Sequence, residues 1–435
     1  MKRNWLGDMR CNIKENTFFK DSFWAVVGNG SGYGLLLLAG IIIARLLGKD
    51  LYGEYGFIKT TMFQFAAFAT LGLGYTSTKF IAQYQTDNPK YLRSIVKATI
   101  SITTTISVTL AAALFILAQP LSIYLNEPTL ASAFRWLSAI IVFRAISTTQ
   151  FGIISGFGRF KSIAIINIWV GIFLLFSSAI LTYFFGLKGS LAALSVAQIL
   201  CVGLCSIAIS NAQNDLSLQE KRPFTWEITR FSIPVALQEL TFALGRWLGF
   251  LIITKLSSLG EVGLFTAAEL WFSVALMIPA MLYNVMLSHL SASVHDPKRQ
   301  GHEINMMLAI NLVCTLIPFL AVYLLSSWIT SFYGPTFHQL GPVIRIFVFA
   351  SIFTCCSNVL TSELIAQGRT WTLFIIRCMR DVLTVALGYY LIHQHQGIAA
   401  AKDYATSTLI CSVIFFLLLY GFYKIVIHHQ SCSTQ

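Results

Sequence analysis

Residues 22–43 carry no charged side chain, and residues 57–78 carry one, Lys59. A helix rises about 1.5 Å per residue, so roughly 20 apolar residues cross the hydrocarbon core of a bilayer. Each run is therefore long enough to span a membrane as a helix. Between them, residues 44–56 read Ala-Arg-Leu-Leu-Gly-Lys-Asp-Leu-Tyr-Gly-Glu-Tyr-Gly, a short polar hairpin joining two spans on one side. The whole chain shares this character. Hydrophobic residues make up 56% of its 435 and charged residues 11%, where a soluble globular chain carries about 25% charge. The mean hydropathy is +0.70. The expected fold is all-α, a polytopic membrane protein.

Hydropathy places about 12 spans, near 22–43, 57–78, 98–118, 130–154, 162–184, 189–210, 231–254, 263–288, 304–325, 342–365, 371–392 and 404–427. Residues 1–21 are polar and basic, and the first run is too long for the apolar core of a cleaved signal, so it reads as a retained helix. Lys and Arg orient the set. One side holds Lys2, Arg3, Arg10, Lys14 and Lys20, then Lys79, Lys90, Arg93 and Lys97, then Arg159 and Lys161, then Lys221, Arg222 and Arg230, then Lys298 and Arg299, then Arg369. The other side holds Arg45, Lys49, Lys188, Lys255 and Lys402. The positive-inside rule puts the richer side, and both termini, in the cytoplasm.

The net charge of +12 has two readings, the surplus on cytoplasmic loops and an anionic ligand. Nucleic acid is not expected, because no basic cluster interleaved with aromatics lies outside the spans. The 9 cysteines show no metal spacing. Cys201, Cys205, Cys314, Cys355, Cys356, Cys378 and Cys411 sit in apolar runs, where helix packing is their ordinary use.

The longest polar break divides the chain into an N-terminal six-helix lobe (1–210), a cytoplasmic linker (211–229) and a C-terminal six-helix lobe (230–435). Adding 210 to a residue number in the first lobe often reaches its counterpart in the second. Arg45 maps to Lys255, Leu46 to Leu256, Gly53 to Gly263 and Tyr55 to Phe265. Arg135 maps to Arg345, Phe143 to Phe353, Gly158 to Gly368 and Arg159 to Arg369. Charged and glycine matches at equivalent points of the topology are hard to obtain by chance. Six spans per unit is even, so the expected repeats are parallel, about an axis along the membrane normal.

Three stretches carry a family resemblance. They are Ala44-Arg45-Leu46-Leu47-Gly48 with Tyr52-Gly53-Glu54-Tyr55, Leu71-Gly72-Leu73-Gly74 followed by Lys79-Phe80-Ile81-Ala82, and the run from Gly152 through Gly156 and Gly158 to Phe160. In these the chain resembles the bacterial O-antigen and capsule flippases of the multidrug/oligosaccharidyl-lipid/polysaccharide exporter superfamily. The resemblance implies two six-helix lobes forming a V around a central cavity. It implies movement of an undecaprenyl-diphosphate-linked oligosaccharide from the cytoplasmic to the outer leaflet of the bacterial inner membrane. The partners implied are that lipid-linked oligosaccharide, membrane lipids and polysaccharide polymerase machinery.

A charge at the bilayer centre costs about 2.5–3.5 kcal/mol on insertion scales, so charges there face protein or water. The candidates for a substrate cavity are Arg246, Glu239, Asn29, Arg144, Arg135 and Arg345. Glu239 and Arg246 are seven apart, on one face of the seventh span, and Glu239 maps back to Asn29. Arg246 is the expected contact to the substrate diphosphate, since a guanidinium can grip phosphate oxygens in pairs. Its structural alternative is a Glu239–Arg246 pair. Arg144 lies mid-span with no local carboxylate. Arg135 and Arg345, near the outer ends of their spans, either snorkel to headgroups or line the cavity. Arg377 and Asp381, four apart, form an expected helix pair. Lys59 plus 210 is Glu269. Both lie six residues beyond Gly53 and Gly263, roughly 9 Å inward from the outer turn, and form an expected outer gate. Gly28, Gly30, Gly32 and Gly34 alternate inside an apolar run. They exclude a dinucleotide loop and point to close helix approach or bending.

Two other classes compete. A drug/cation antiporter of the same superfamily predicts a carboxylate-dominated cavity, whereas here Lys and Arg outnumber Glu and Asp in the spans. A polysaccharide polymerase or ligase predicts a large outer loop, and residues 326–341 are too short for one. No phosphate-binding loop, cofactor motif or metal motif occurs. The energy source is left open between a proton gradient, a sodium gradient and the membrane potential.

Overall fold

The computed structural model describes residues 5–124, 130–213, 224–280, 297–367 and 369–433, and every long element among them is a helix. They are α1 (Trp5–Thr70), α2 (Leu73–Asp87), α3 (Leu92–Tyr124), α4 (Leu130–Gly156), α5 (Phe160–Gln213), α6 (Thr225–Leu256), α7 (Leu259–Ala275), α8 (Pro297–Leu324), α9 (Ser326–Tyr333), α10 (Leu340–Ala366), α11 (Thr370–Gln394) and α12 (Ala400–Ser433). Side chains before Gly30, and a few within later helices including Glu239, lie outside the described residues.

Two of these helices are longer than any bilayer. A straight α5 of 54 residues would reach about 80 Å at 1.5 Å per residue, against a core of about 30 Å. It does not run straight. Gly186 has φ 56 and ψ −134, a conformation that leaves the helix and suits only a residue without a Cβ. A Cβ on Gly189 would run into the Leu181 carbonyl, so the chain turns there in close contact with itself. In α1 the same break falls at Gly48, with φ 73 and ψ 172. Each long helix is therefore two rods, which separates the expected spans 22–43 from 57–78 and 162–184 from 189–210.

Among the described residues, seven helices are long and apolar enough to cross a membrane, and both broken helices are among them. The span expected at 57–78 is interrupted, because Leu71 (φ 44) and Gly72 (φ 68) leave the helical region between α1 and α2. The span expected at 263–288 begins in α7, which stops at Ala275, and passes beyond the described residues after 280. The expected linker lies largely outside the described residues too, at 214–223.

The chain forms two compact units. The first holds Met1–Ala39, Thr61–Ser122 and Pro128–Leu240, and the second Gly40–Thr60, Ile123–Glu127 and Thr241–Gln435. The polar hairpin from the first half thus packs with the second half.

In the first unit α2 lies on α4 with backbone touching backbone. A Cβ on Gly152 would meet Gly74 Cα at 2.8 Å. Thr78 Oγ1 closes the contact by donating to the Gly152 carbonyl at 2.8 Å. Gly156 admits Ile81 in the same way, its absent Cβ falling 2.8 Å from the Ile81 Cβ. α4 then ends at Gly158 (φ 69), where Arg159 N–H donates to the Ile154 carbonyl at 3.2 Å and Gly158 N–H to that of Ser155 at 2.9 Å, a glycine C-cap of the Schellman type. The second unit repeats part of this cap 210 residues on, with Arg369 N–H donating to Leu364 at 2.9 Å. Cys201 and Cys205 are buried in the apolar core of the first unit.

In the second unit the second rod of α1 crosses α7. A Cβ on Gly53 would meet the Leu259 carbonyl and lie 2.9 Å from Gly263 N, and one on Gly263 would meet the Lys49 carbonyl and lie 3.1 Å from Gly53 N. Lys49 and Leu259 are themselves 210 apart, so the contact is reciprocal. Gly56 meets Thr266, and Gly260 meets Asp50. Residues 50, 53 and 56 therefore touch their own repeat partners 260, 263 and 266, in ascending register. Self-pairing of equivalent positions marks a two-fold relation between these rods, and ascending register makes them parallel. At Gly53 and Gly263 the seam is backbone against backbone, because a Cβ on either glycine would part it.

The alternating glycines of the first rod behave differently. A Cβ on Gly32 would make ordinary contact with the Asn167 Cβ at 3.6 Å, and one on Gly34 would meet nothing within 4 Å. Close approach does not explain Gly34.

Candidate functional site

The second unit gathers buried charge around α6. Gly245 leaves room for Asp381 of α11, whose Cβ would lie 3.2 Å from a Cβ at that position. Gly249, one turn on, leaves room for Tyr404 of α12, whose ring carbon Cζ would lie 2.5 Å away. Between these glycines, Arg246 points to α7 and its Nη2 meets Glu269 Oε1 at 2.5 Å. The Arg246 side chain keeps 39% of its surface and Glu269 keeps 17%, so the cation is reachable while its counter-charge is largely enclosed. Asp381 is held by its neighbour Arg380, through Nε at 2.8 Å and Nη2 at 2.6 Å. The Arg380 guanidinium also lies 4.7 Å from the Phe415 ring. The Tyr404 phenol sits in the field of both Asp381 and Glu269.

At the end of α6 a polar clasp joins two turns. Ser257 donates to the Gly397 carbonyl at 2.5 Å. Glu261 Oε2 accepts the Ala401 N–H at 2.9 Å, capping the start of α12 from another helix. His395 Nδ1 lies 3.0 Å from Asp403 Oδ1. Burial pushes the Glu261 carboxyl above its ordinary range, with Asp403 adding to the rise, while the Ala401 N–H and Lys49 oppose it.

The first unit is different in kind. The Arg144 guanidinium lies 4.3 Å from the Phe63 ring centre. Its own carbonyl accepts from Ser147 and from Thr148, each at 2.9 Å. The ion pairs among the described residues do not include Arg144.

The other expected site residues are dispersed. Arg135 is exposed, 5.9 Å from the Phe115 ring. Arg345 is exposed and donates to Ser326 at 2.7 Å and Ser327 at 3.2 Å. Lys59 lies 5.9 Å from the Tyr55 ring. Asn29 lies in α1 and Glu239 in α6, with side chains outside the described residues. In this structure Glu269 meets Arg246 and Asp381 meets Arg380, two arginines other than the Lys59 and Arg377 that the sequence reading set beside these carboxylates. The cluster of Gly245, Gly249 and Tyr404 was not anticipated. Its signal is legible as Gly-x-x-x-Gly in α6, the small-residue spacing that lets helices approach. No group of three or more His, Cys, Asp or Glu among the described residues could hold a metal ion.

The broken spans, the charges paired between helices and the glycine seam between repeat-related rods define a polytopic helical membrane protein. Solved structures share this fold. One is the inward-facing conformation of a multidrug resistance MATE family transporter of the MOP superfamily, with TM-score 0.79, 14% identity, and coverage of 94% of this chain and 100% of that one. Another is the lipid II flippase MurJ in an inward closed conformation, with TM-score 0.75, 16% identity, and coverage of 92% and 87%. The succinoglycan biosynthesis transport protein ExoT of Rhizobium meliloti (strain 1021) is 22% identical over 394 residues, 88% of this chain and 76% of that protein. The model of the polysaccharide biosynthesis protein family matches residues 18–290, and the chain belongs to that family.

Proposed function

We propose that this protein is a flippase of the bacterial cytoplasmic membrane, a carrier and not an enzyme. It moves an undecaprenyl-diphosphate-linked oligosaccharide, an O-antigen or capsule repeat unit, from the cytoplasmic to the outer leaflet by alternating access. The observation that carries this reading is the family match over residues 18–290. The charge pattern supports it, since the spans of the first half contain Lys59, Arg135 and Arg144 and no Asp or Glu. That pattern also weighs against a drug/cation antiporter, whose cationic cargo needs carboxylates. Both termini are cytoplasmic in this reading, and the energy source is an ion gradient or the membrane potential.

The gate belongs to this proposal. The register 50/260, 53/263 and 56/266 continues to 59/269, which supports Lys59 and Glu269 as facing positions. Glu269 would exchange Arg246 for Lys59 during the cycle. Reversing either charge should impair export, and reversing both should recover much of it. A double variant as poor as the worse single one removes the gate.

The decisive experiment is reconstitution. Proteoliposomes containing the full chain are loaded on one leaflet with a polyprenyl-diphosphate-linked oligosaccharide, and its appearance on the other leaflet is followed with a membrane-impermeant lectin or oxidant. Translocation above that of protein-free vesicles is expected. Equal rates with and without protein overturn the reading.

A further inference from the structure

Two arginines within the expected spans, Arg144 and Arg246, differ in how their charge is met. Arg246 has Glu269 at 2.5 Å. Arg144 has an aromatic face, and the six expected spans of its half of the chain contain no Asp or Glu that could serve it. It is the fifteenth of 27 residues in α4, so it lies close to the middle of that helix. The repeat supplies an internal control. Phe143 maps to Phe353, and Arg144 maps to Thr354. Thr354 simply returns its hydroxyl to the Ala350 carbonyl at 3.0 Å. The same place in the second copy of the fold thus needs no cation, so helix packing does not account for Arg144.

The Phe63 ring lies 4.3 Å from the guanidinium carbon and meets its charge without a carboxylate. The N–H groups of a guanidinium are the ones that match a phosphate two at a time. We propose that Arg144 is the anion anchor of the first unit, taking a phosphate of the lipid-linked substrate against the Phe63 ring. This rests on the flippase reading and deepens it. The phosphate anchor is assigned to the arginine that has no carboxylate partner among the described residues, and Arg246, whose charge Glu269 already meets, is not that anchor. A lysine at the same place keeps the charge and loses the fork.

The test uses the purified full chain in nanodiscs, with undecaprenyl diphosphate and undecaprenol as charged and uncharged probes. Wild type should bind the diphosphate more tightly. Arg144→Gln should weaken diphosphate binding by about tenfold or more, the usual scale for one charge-assisted contact. It should leave undecaprenol binding unchanged, and Arg144→Lys should fall between. Inorganic pyrophosphate should compete with the diphosphate probe in wild type more strongly than glucuronate does. Unchanged diphosphate binding by Arg144→Gln overturns the anchor and leaves the flippase reading standing. Competition by glucuronate alone overturns the phosphate assignment in favour of an acidic sugar. Equal binding of both probes by wild type sinks the flippase reading and the anchor with it. If Arg144→Gln does not elute as a folded species, Arg144→Lys decides, and undiminished affinity in that variant overturns the proposal.

Discussion

Arg246 and Glu269 form a pair of unequal exposure, and truncating either leaves the other's charge to be solvated afresh. The enclosed partner is Glu269, at 17% exposure. Removing Arg246 should therefore cost more than removing the more exposed end of an ordinary surface pair, whose coupling is about 0–1 kcal/mol. In thermal unfolding of the detergent-solubilised protein, Arg246→Ala and Glu269→Ala should each lower the midpoint. The double variant should be more stable than the sum of the two losses implies. Additive losses would mean the pair contributes nothing as a pair. Glu261 gives a pH prediction. Burial raises its carboxyl above the ordinary range, so protonation of this group costs the folded protein less than the unfolded chain. A raised carboxyl contributes stability that is present at acid pH and lost as pH climbs through the folded value. Glu261→Gln keeps an acceptor for the Ala401 N–H without the buried charge. Between pH 5 and 7 the unfolding midpoint of this variant should fall less with rising pH than that of wild type. Parallel pH profiles would rule the effect out.

The helices show what the family motifs do. Leu71-Gly72-Leu73-Gly74 breaks one helix and opens the next, with Gly74 against Gly152. The run from Gly152 to Gly158 supplies that close approach, then the seat for Ile81, then the cap. Gly53 of the hairpin makes the seam. These motifs therefore encode helix contact. Their glycines should differ sharply in tolerance. Gly53→Ala puts a Cβ into the Leu259 carbonyl and should abolish the monodisperse folded species on size exclusion. Gly48→Ala meets only Thr336, at 3.7 Å, but keeps a positive φ of 73 and should cost about 1–3 kcal/mol. Gly34→Ala meets nothing and should be neutral or stabilising by about 0.5–1 kcal/mol. Equal tolerance at Gly53 and Gly34 would contradict the packing described.

At the scale of the molecule, structures with 14% and 16% identity share the fold at TM-scores of 0.79 and 0.75. The repeat makes a further prediction. On a cysteine-free background, Asp50→Cys with Gly260→Cys should crosslink, because Gly260 faces Asp50 across the parallel rods. If the hairpin lies on the outer face, the disulfide should form in cells without added oxidant. Crosslinking only after addition of a membrane-permeant oxidant to lysed cells would reverse the topology. In the flippase reading the crosslink also arrests export and a reductant restores it.

The sequence by itself determined the all-helical membrane class, the polar hairpin at residues 44–56, the offset of 210 and the family branch. Those properties follow from local runs and from periodicity along one chain, neither of which needs distant contacts. It also marked Arg144 and Arg246 as cations within spans. Only the tertiary structure decided their partners. Charge pairing depends on which helix faces which and at what depth, and a carboxylate 23 residues away, like Glu269 from Arg246, is as available as one seven away. The same holds for the hairpin, which sequence order groups with the first lobe. Its glycines could approach α7 more closely than anything in their own half, so it packs with the second unit.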